Sequence, residues 1–575
     1  MTLPTFRDRY PDHAEVMNLC RAWAKTQPEV CRLEILAHTD GGREIPLLII
    51  GRDPDRVRPA VWVDANMHAS ELAGTSVVLA IAEDLLALHR GESSDATRDL
   101  PEVMRATLTD GLFYLLPRMS PDGAELLLKT HQFVRSIPQW RGMRRLHPRW
   151  LHQDIDGDGY AHVMRVVDPA GDWVAHDTRP EVLRPRRLED APPYYKLYPE
   201  GLIERFDGHQ IPDPFFLSDN DVDLNRNFPG DWKPEPEQVG AGPFAASERE
   251  SEAVVRFALS HPNIFAWLNL HCFGGVFIRP LGDAPDHKMD GDELPLWRQL
   301  EVWAKAFTGY PTVSGFEEFT YEPDKPLSGD LTNWVHKQRG AFAWVVELWD
   351  IFAKLGMERP KRFVDFYDRL GDAELERLFD FDREHNGGRL FPGWRKHRHP
   401  QLGDVEVGGM APLIGIWNPP ESFLPEVCLG QSRTLLRVAA MAPKLELAVE
   451  AEPLGGENET ALHAVKVTVM NTGYLPTWFI PSAKKNPINE PLWVTLSGGA
   501  IDPIEPIDGV SRVELGQLSG WGQGHLSSGQ SMIMPRSNGS SDRWTRTFVV
   551  RGRGPLVIEV ASSRVGSVRR EVELG

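Results

Sequence analysis

The sequence predicts an α/β domain followed by an all-β sandwich, and three observations carry that prediction. Up to about residue 440, short apolar runs alternate with longer segments of helical period. Beyond Pro443 the texture changes to two-residue alternation, broken by glycine and proline clusters at intervals that suit a sandwich. The 575 residues also exceed what one hydrophobic core usually organises, so two units are expected. We place the boundary at 443, with residues 1–442 as the first domain and 443–575 as the second.

Within the first domain VWVDAN (61–66) reads as a buried strand. After Glu71 the apolar positions Leu72, Val77, Val78, Ile81, Leu85 and Leu86 shift to the spacing of a helix. FYLLP (113–117), IFAWLNL (264–270) and AFAWVVEL (341–348) are further strands, and helices are predicted over 249–259, 294–306, 329–338 and 429–441. Two insertions interrupt this pattern, about 146–220 and about 351–418. Loops of that length in a compact domain usually carry function; the first falls between Arg135 and Asn225, two residues taken up below, and for that reason we expect it to hang over the rim of the cleft they border and restrict entry. In the second domain Leu445, Leu447 and Val449 alternate with Glu446, Ala448 and Glu450, which describes a half-buried antiparallel strand.

Composition excludes several classes. An apolar fraction of 41% with 18 tryptophans requires a packed interior and rules out a disordered chain. Lysine and arginine total 63 against 82 acids, a net charge of −19, which argues against a protein that coats nucleic acid or anionic membrane. Four cysteines without a CxxC pair cannot staple so long a chain, and a reducing compartment is expected. The N-terminal stretch lacks the basic start and apolar run of a secretory signal, and no segment is long and apolar enough to span a bilayer. A cytoplasmic location is the expectation.

Several residues can do chemistry. His68 and Glu71 lie three apart across a strand-to-helix turn, where an imidazole and a carboxylate can converge on one cation, and zinc suits such a mixed donor set. His271 ends another strand before Gly274 and Gly275, an equivalent place at the carboxyl end of an open sheet. Cys272 should face the opposite side of that strand. The string Asp223-Leu224-Asn225-Arg226-Asn227 offers a guanidinium fork and an amide donor suited to a carboxylate; a polar turn before Pro229 is the competing reading. Glu347 sits in the apolar run WVVELW, where burial raises a carboxyl pKa towards that of a general base, unless a buried cation pairs with it. Separately, Asp154, Asp156 and Asp158 alternate as in a calcium loop with Gly159 at the sixth place. The twelfth position is Arg165, which excludes a complete EF-hand and leaves a choice between a calcium-braced insertion and a solvated acidic turn.

The motifs HASE, SPDG (120–123), DLNRN, NLH and VVEL stand in the order, and with the surroundings, of the zinc carboxypeptidase A-like metallopeptidases, which this chain resembles over about residues 8–350 and again near 419–441. The resemblance implies a three-layer α/β/α domain with a mixed central sheet. It implies one zinc ion held by His68, Glu71 and His271, with Asp223 orienting His68. It makes Glu347 the base for the attacking water and Arg135 the group that steadies the oxyanion, with Arg141 and Arg144 as alternatives if the register slips. Asn225 and Arg226 would take the substrate's terminal carboxylate, Tyr321 would close over the substrate, and Thr332 would occupy the position that sets side-chain preference. Ser120 departs from the family, which has asparagine there.

The function that follows is zinc-dependent removal of C-terminal residues from peptides with a free carboxylate. One rival keeps the metal but cleaves D- or γ-linked cell-wall-type peptides or N-acyl amino acids. Another is a zinc-bearing binding protein without catalysis, against which the presence of both Glu347 and Arg135 argues.

Overall fold

Eight strands form the central sheet: β1 (Cys31–His38), β2 (Glu44–Ile50), β3 (Ala60–Ala65), β4 (Leu112–Leu116), β5 (Ile264–Cys272), β6 (Val276–Arg279), β7 (Thr312–Ser314) and β8 (Phe342–Leu348), in the order β1-β2-β4-β3-β5-β8-β6-β7. The computed structural model describes residues 6–138, 148–214, 222–322, 324–368, 370–456, 461–498, 505–506, 508–522, 537 and 539–575. The sheet is mixed, since β4, β3, β5 and β8 run parallel, β1 and β2 pair antiparallel to their neighbours, and β6 pairs antiparallel to β8 but parallel to β7. Its central strands are buried on both faces, and for that reason VWVDA and FAWVVEL read as nearly continuous apolar runs.

Side-chain alternation sends each strand's residues to two cores. Val61, Val63, Leu268 and Trp344 face α1 (Ala73–His89), α3 (Leu294–Thr308) and α5 (Leu424–Ala439). Trp62, Trp267 and Ala343 face α2 (Arg249–Ser260) and the short α4 (Leu331–Trp334). Helices on both sides of a mixed sheet are the expected three layers.

From Leu445 onward two four-stranded sheets face each other as a sandwich. Their inner residues Val465, Val467, Ile558 and Val560 join the same apolar core as α1 and α5. The two regions therefore share buried surface, which two domains on a flexible tether would not do.

The insertions have an architecture that the sequence did not foretell. Strand Trp394–His399 pairs with Gly403–Gly408, which pairs in turn with Val163–Val167, and Tyr195–Pro199, Trp173–Ala175 and Leu183–Pro185 complete a six-stranded sheet. Each insertion supplies edge strands that the other covers, so neither is a free loop. Among the described residues no helix is long and apolar enough to cross a membrane.

Candidate active site

The parallel ladder places the first two groups. His271 and Glu347 are cross-strand partners at the carboxyl ends of β5 and β8, and Asn269 is paired with Asp64 of β3 two residues below. Because side chains on a strand repeat every second residue, Trp267, Asn269 and His271 share one face with Trp62 and Asp64. A relay results. The indole nitrogens of Trp62 and Trp267 donate to Asp64 Oδ2 at 2.8 and 2.7 Å, and Asn269 Nδ2 donates to Asp64 Oδ1 at 2.5 Å. With its amide nitrogen committed to a carboxylate, Asn269 must turn its oxygen to His271, and Oδ1 lies 2.6 Å from His271 Nε2. That contact fixes the proton on Nε2 and leaves a lone pair on Nδ1.

His68 and Glu71 come from the turn between β3 and α1. Asn66, with φ of +56°, bends the chain there, and its Nδ2 donates to the carbonyls of His68, Ala69 and Glu71 at 2.9–3.2 Å. Asn418 braces the far side of the turn, donating to Ser70 O at 2.7 Å and accepting from Ala73 N at 3.0 Å. His68 Nε2 contacts Asp223 Oδ1 at 3.0 Å, so its Nδ1 also points inward.

Three basic atoms thus meet. His68 Nδ1 lies 2.7 Å from Glu71 Oε1 and 3.1 Å from His271 Nδ1, which in turn lies 3.0 Å from Glu71 Oε2. All three side chains are buried. A proton can serve only one of these contacts at a time, whereas a divalent cation among them serves all three, and two imidazoles with a carboxylate are a donor set that zinc accepts. The electrostatics agree: burial pushes Glu71 up, but the imidazoles of His68 and His271 outweigh it and hold the carboxyl low. Burial also opposes the charge on His271, and the Glu71 carboxylate more than offsets it.

The remaining predicted residues surround this cluster in a cleft of about 450 Å³, which is lined by His68, Glu71, Arg135, Asn225, Arg226, His271, Tyr321, Thr332 and Glu347. Arg135 Nε donates to Asp223 Oδ2 at 3.1 Å, and its Nη1 stands 3.5 Å from Glu71 Oε1. Burial pushes Asp223 up, but Arg135, His68 and Arg226 pull it well below the ordinary range. Ser120 holds the Arg135 loop by donating to Ser136 O. Asn225 Oδ1 accepts from Leu331 N at 3.0 Å, which leaves its amide nitrogen for the cleft. Arg226 is buried with Nε unpaired, Thr332 Oγ1 is likewise buried and unpaired, and Tyr321 is 57% exposed at the mouth. Burial raises Glu347 to about 8, with His271 and Arg135 acting against it and Glu71 adding to it. Arg141 and Arg144 lie outside the described residues.

A model of the zinc carboxypeptidase family matches residues 16–178 and 207–361, more than half of the chain. The chain belongs to the zinc carboxypeptidase family. Residues 444–573 match a domain of unknown function. Carboxypeptidase A6 of Homo sapiens is 21% identical over 353 residues, 59% of this chain and 60% of that protein. Carboxypeptidase A1 of Mus musculus is 27% identical over 139 residues, 22% of this chain and 32% of that protein, so the chain spans well under two thirds of either relative. The solved thrombin activatable fibrinolysis inhibitor superposes with a TM-score of 0.42 at 15% identity, over 75% of this chain and 74% of that one.

For this member of the family one expectation needs correction. No described residue of the 146–220 insertion lines the cleft; the other insertion does, through Tyr367 and Trp417. Tyr367 is fixed there by donating to Phe273 O at 2.6 Å. The reason is the shared sheet, which commits the first insertion's strand Val163–Val167 to pairing with residues 406–408 and its other strands of that sheet to pairing alongside. Sequence reasoning also missed Asp64, Asn66, Asn269 and Asn418. The spacings WVD (62–64) and WLNLH (267–271) held the signal for the relay, because they set tryptophan, acid, amide and ligand on one face.

The Asp154, Asp156 and Asp158 carboxylates also lie within 4.8 Å of one another. Asp154 accepts from Gly157 N and Gly159 N at 2.6 and 2.8 Å, Arg395 Nη2 pairs with Asp156 at 2.9 Å and with Asp158, and His162 Nε2 reaches Asp158 at 3.1 Å. Calcium is not shown by this arrangement.

Proposed function

We propose that this protein is a zinc-dependent carboxypeptidase that hydrolyses the C-terminal peptide bond of peptides. The observation that carries the reading is the meeting of His68 Nδ1, His271 Nδ1 and the Glu71 carboxylate, the two imidazoles being committed inward by the partners at their outer ring nitrogens. Zinc bound there supplies a Lewis acid for the scissile carbonyl and lowers the pKa of water.

The chain's own residues do the rest. Glu347, next to His271 and raised in pKa, takes a proton from the attacking water and delivers it to the leaving amine. Arg135, held by Asp223 at the edge of the cluster, offsets charge developing on the carbonyl oxygen. Asn225 and Arg226 present unpaired N–H groups to the terminal carboxylate. Tyr321 at the mouth covers the substrate, and Thr332 faces its last side chain.

Elemental analysis of the purified protein, combined with hydrolysis of blocked dipeptides with free and with amidated C-termini, tests the reading. One zinc per chain and cleavage only of the free acid are expected. Cleavage of D-centred or γ-linked substrates in preference to plain ones would reassign the bond, and metal without any turnover would leave a binding protein.

A further inference from the structure

The helix that borders the substrate end of the cleft is gripped from behind by the C-terminal sandwich. This helix is α4, which continues through a wider turn over Val335–Arg339 to Gly340. At its front, Asp330 caps it by accepting from Asn333 N at 2.8 Å, Thr332 and Asn333 line the cleft, and Leu331 N orients Asn225. At its back, the last carbonyls have no partner within the helix. Four consecutive ones are taken by residues beyond 443. Asn486 Nδ2 donates to Lys337 O at 3.1 Å and Gln338 O at 3.3 Å, and Arg564 Nη1 and Nη2 donate to Arg339 O and Gly340 O at 3.0 and 2.9 Å.

Arg564 is wholly buried, its guanidinium stands 4.0 Å from the Phe479 ring centre, and among the described residues it has no carboxylate partner. A guanidinium is buried so at a cost in desolvation, and what it meets is the negative end of a helix dipole. The approach is close: a Cβ added at Gly340 would come within 2.6 Å of Ala483 Cβ. A lateral brace adds to it, since the buried Glu293 accepts from Ser482 N at 3.2 Å and contacts His336 Nε2 at 2.6 Å.

We propose that Arg564 and Asn486 are positioning residues for substrate: by capping the far end of the 331–340 helix, the sandwich fixes Leu331, Thr332 and, through Leu331 N–H, the carboxylate-binding amide of Asn225. The sandwich is then a working part of the cleft. The kinetic half of this proposal rests on the peptidase reading above.

The test is the double variant Arg564→Met/Asn486→Ala in the full chain, with two readouts. On a blocked dipeptide acid, KM should rise at least about tenfold while kcat stays within about twofold and zinc content is unchanged, the signature of lost binding that is uniform between ground and transition states. Amide hydrogen exchange should quicken at 331–334, the cleft end, as well as at the uncapped end. Arg564→Lys, which keeps the charge and some of the donors, should recover part of both effects. Should the double variant not fold, Asn486→Ala alone carries the same test at about threefold in KM. An unchanged KM in a folded variant, a fall in kcat alone, or faster exchange confined to 337–340 overturns the proposal. A parent protein without hydrolysis would refute the peptidase reading only, and exchange at 331–334 would then decide the clamp.

Discussion

Among the described residues two clusters have the composition of a metal site, and they differ in whether their charge is already spoken for. Asp154, Asp156 and Asp158 are partly exposed and receive backbone N–H groups, Arg395 and His162. His68, Glu71 and His271 are buried, the acceptors Asp223 Oδ1 and Asn269 Oδ1 occupy the far ring nitrogens, Arg135 Nη1 reaches Glu71 Oε1 only at 3.5 Å, and Glu71 Oε2, 3.0 Å from His271 Nδ1, has no further partner among the described residues. Ligand type and proximity are the same kind of evidence in both places. What separates them is an unmet demand for positive charge in a desolvated site, where that demand is costly.

The strongest test removes one of the three inward atoms. His271→Ala should lower zinc to less than about a tenth of an equivalent and abolish hydrolysis, since two remaining ligands do not hold the ion. Retention of stoichiometric zinc would show that the cluster is not the binding site. Glu347 gives the next largest effect. Glu347→Gln should cut kcat by about a hundred- to ten-thousand-fold at unchanged zinc content, as for the loss of a general base. Its pH dependence has a definite sign. Activity belongs to the carboxylate and is lost as pH falls through the folded-state pKa, which burial raises to about 8 and which the charge of bound zinc draws back down. The acid limb of kcat/KM should therefore lie below 8 in the zinc-loaded enzyme; a limb above 8 would refute the assignment.

The same contrast explains what was legible in the sequence. The three candidate ligands, Glu347 and Asn225-Arg226 stand at strand ends and turns, where a polar group in an apolar run has few structural uses, and the structure brings them into one cleft. Asp64 and Asn269 lie inside strands, and their meaning depends on the register that sets β3 beside β5, a pairing across some 200 residues that no local pattern encodes. The six-stranded insertion sheet was hidden for the same reason, since Val163 meets Gly408. Arg564 was hidden more deeply still: a lone arginine in a β-turn carries no mark of the helix it caps.

Asn269 offers a finer probe of the relay. Asn269→Leu keeps the volume but frees the His271 tautomer and leaves Asp64 without its amide donor. Zinc affinity should fall about ten- to a hundredfold, measured by competition with a chelator, while saturating zinc restores much of the activity. A variant with parental affinity would mean that His271 is oriented by packing alone.

The smallest effect tests the acidic loop. Arg395 is half-exposed, so its pairs with Asp156 and Asp158 are worth about 0–1 kcal/mol, and Arg395→Gln should lower Tm by no more than about 4 °C. The informative measurement is Tm with and without millimolar calcium. In the parent the guanidinium and His162 already serve the carboxylates, so the ion must displace them and Tm should not move. In the variant the same oxygens keep only His162 and backbone donors, their mutual repulsion is less compensated, and calcium should recover most of the loss. A parent whose Tm climbs with calcium would erase the distinction between the two clusters, because a cluster whose charges are already paired would then have proved as receptive as one whose charges are not.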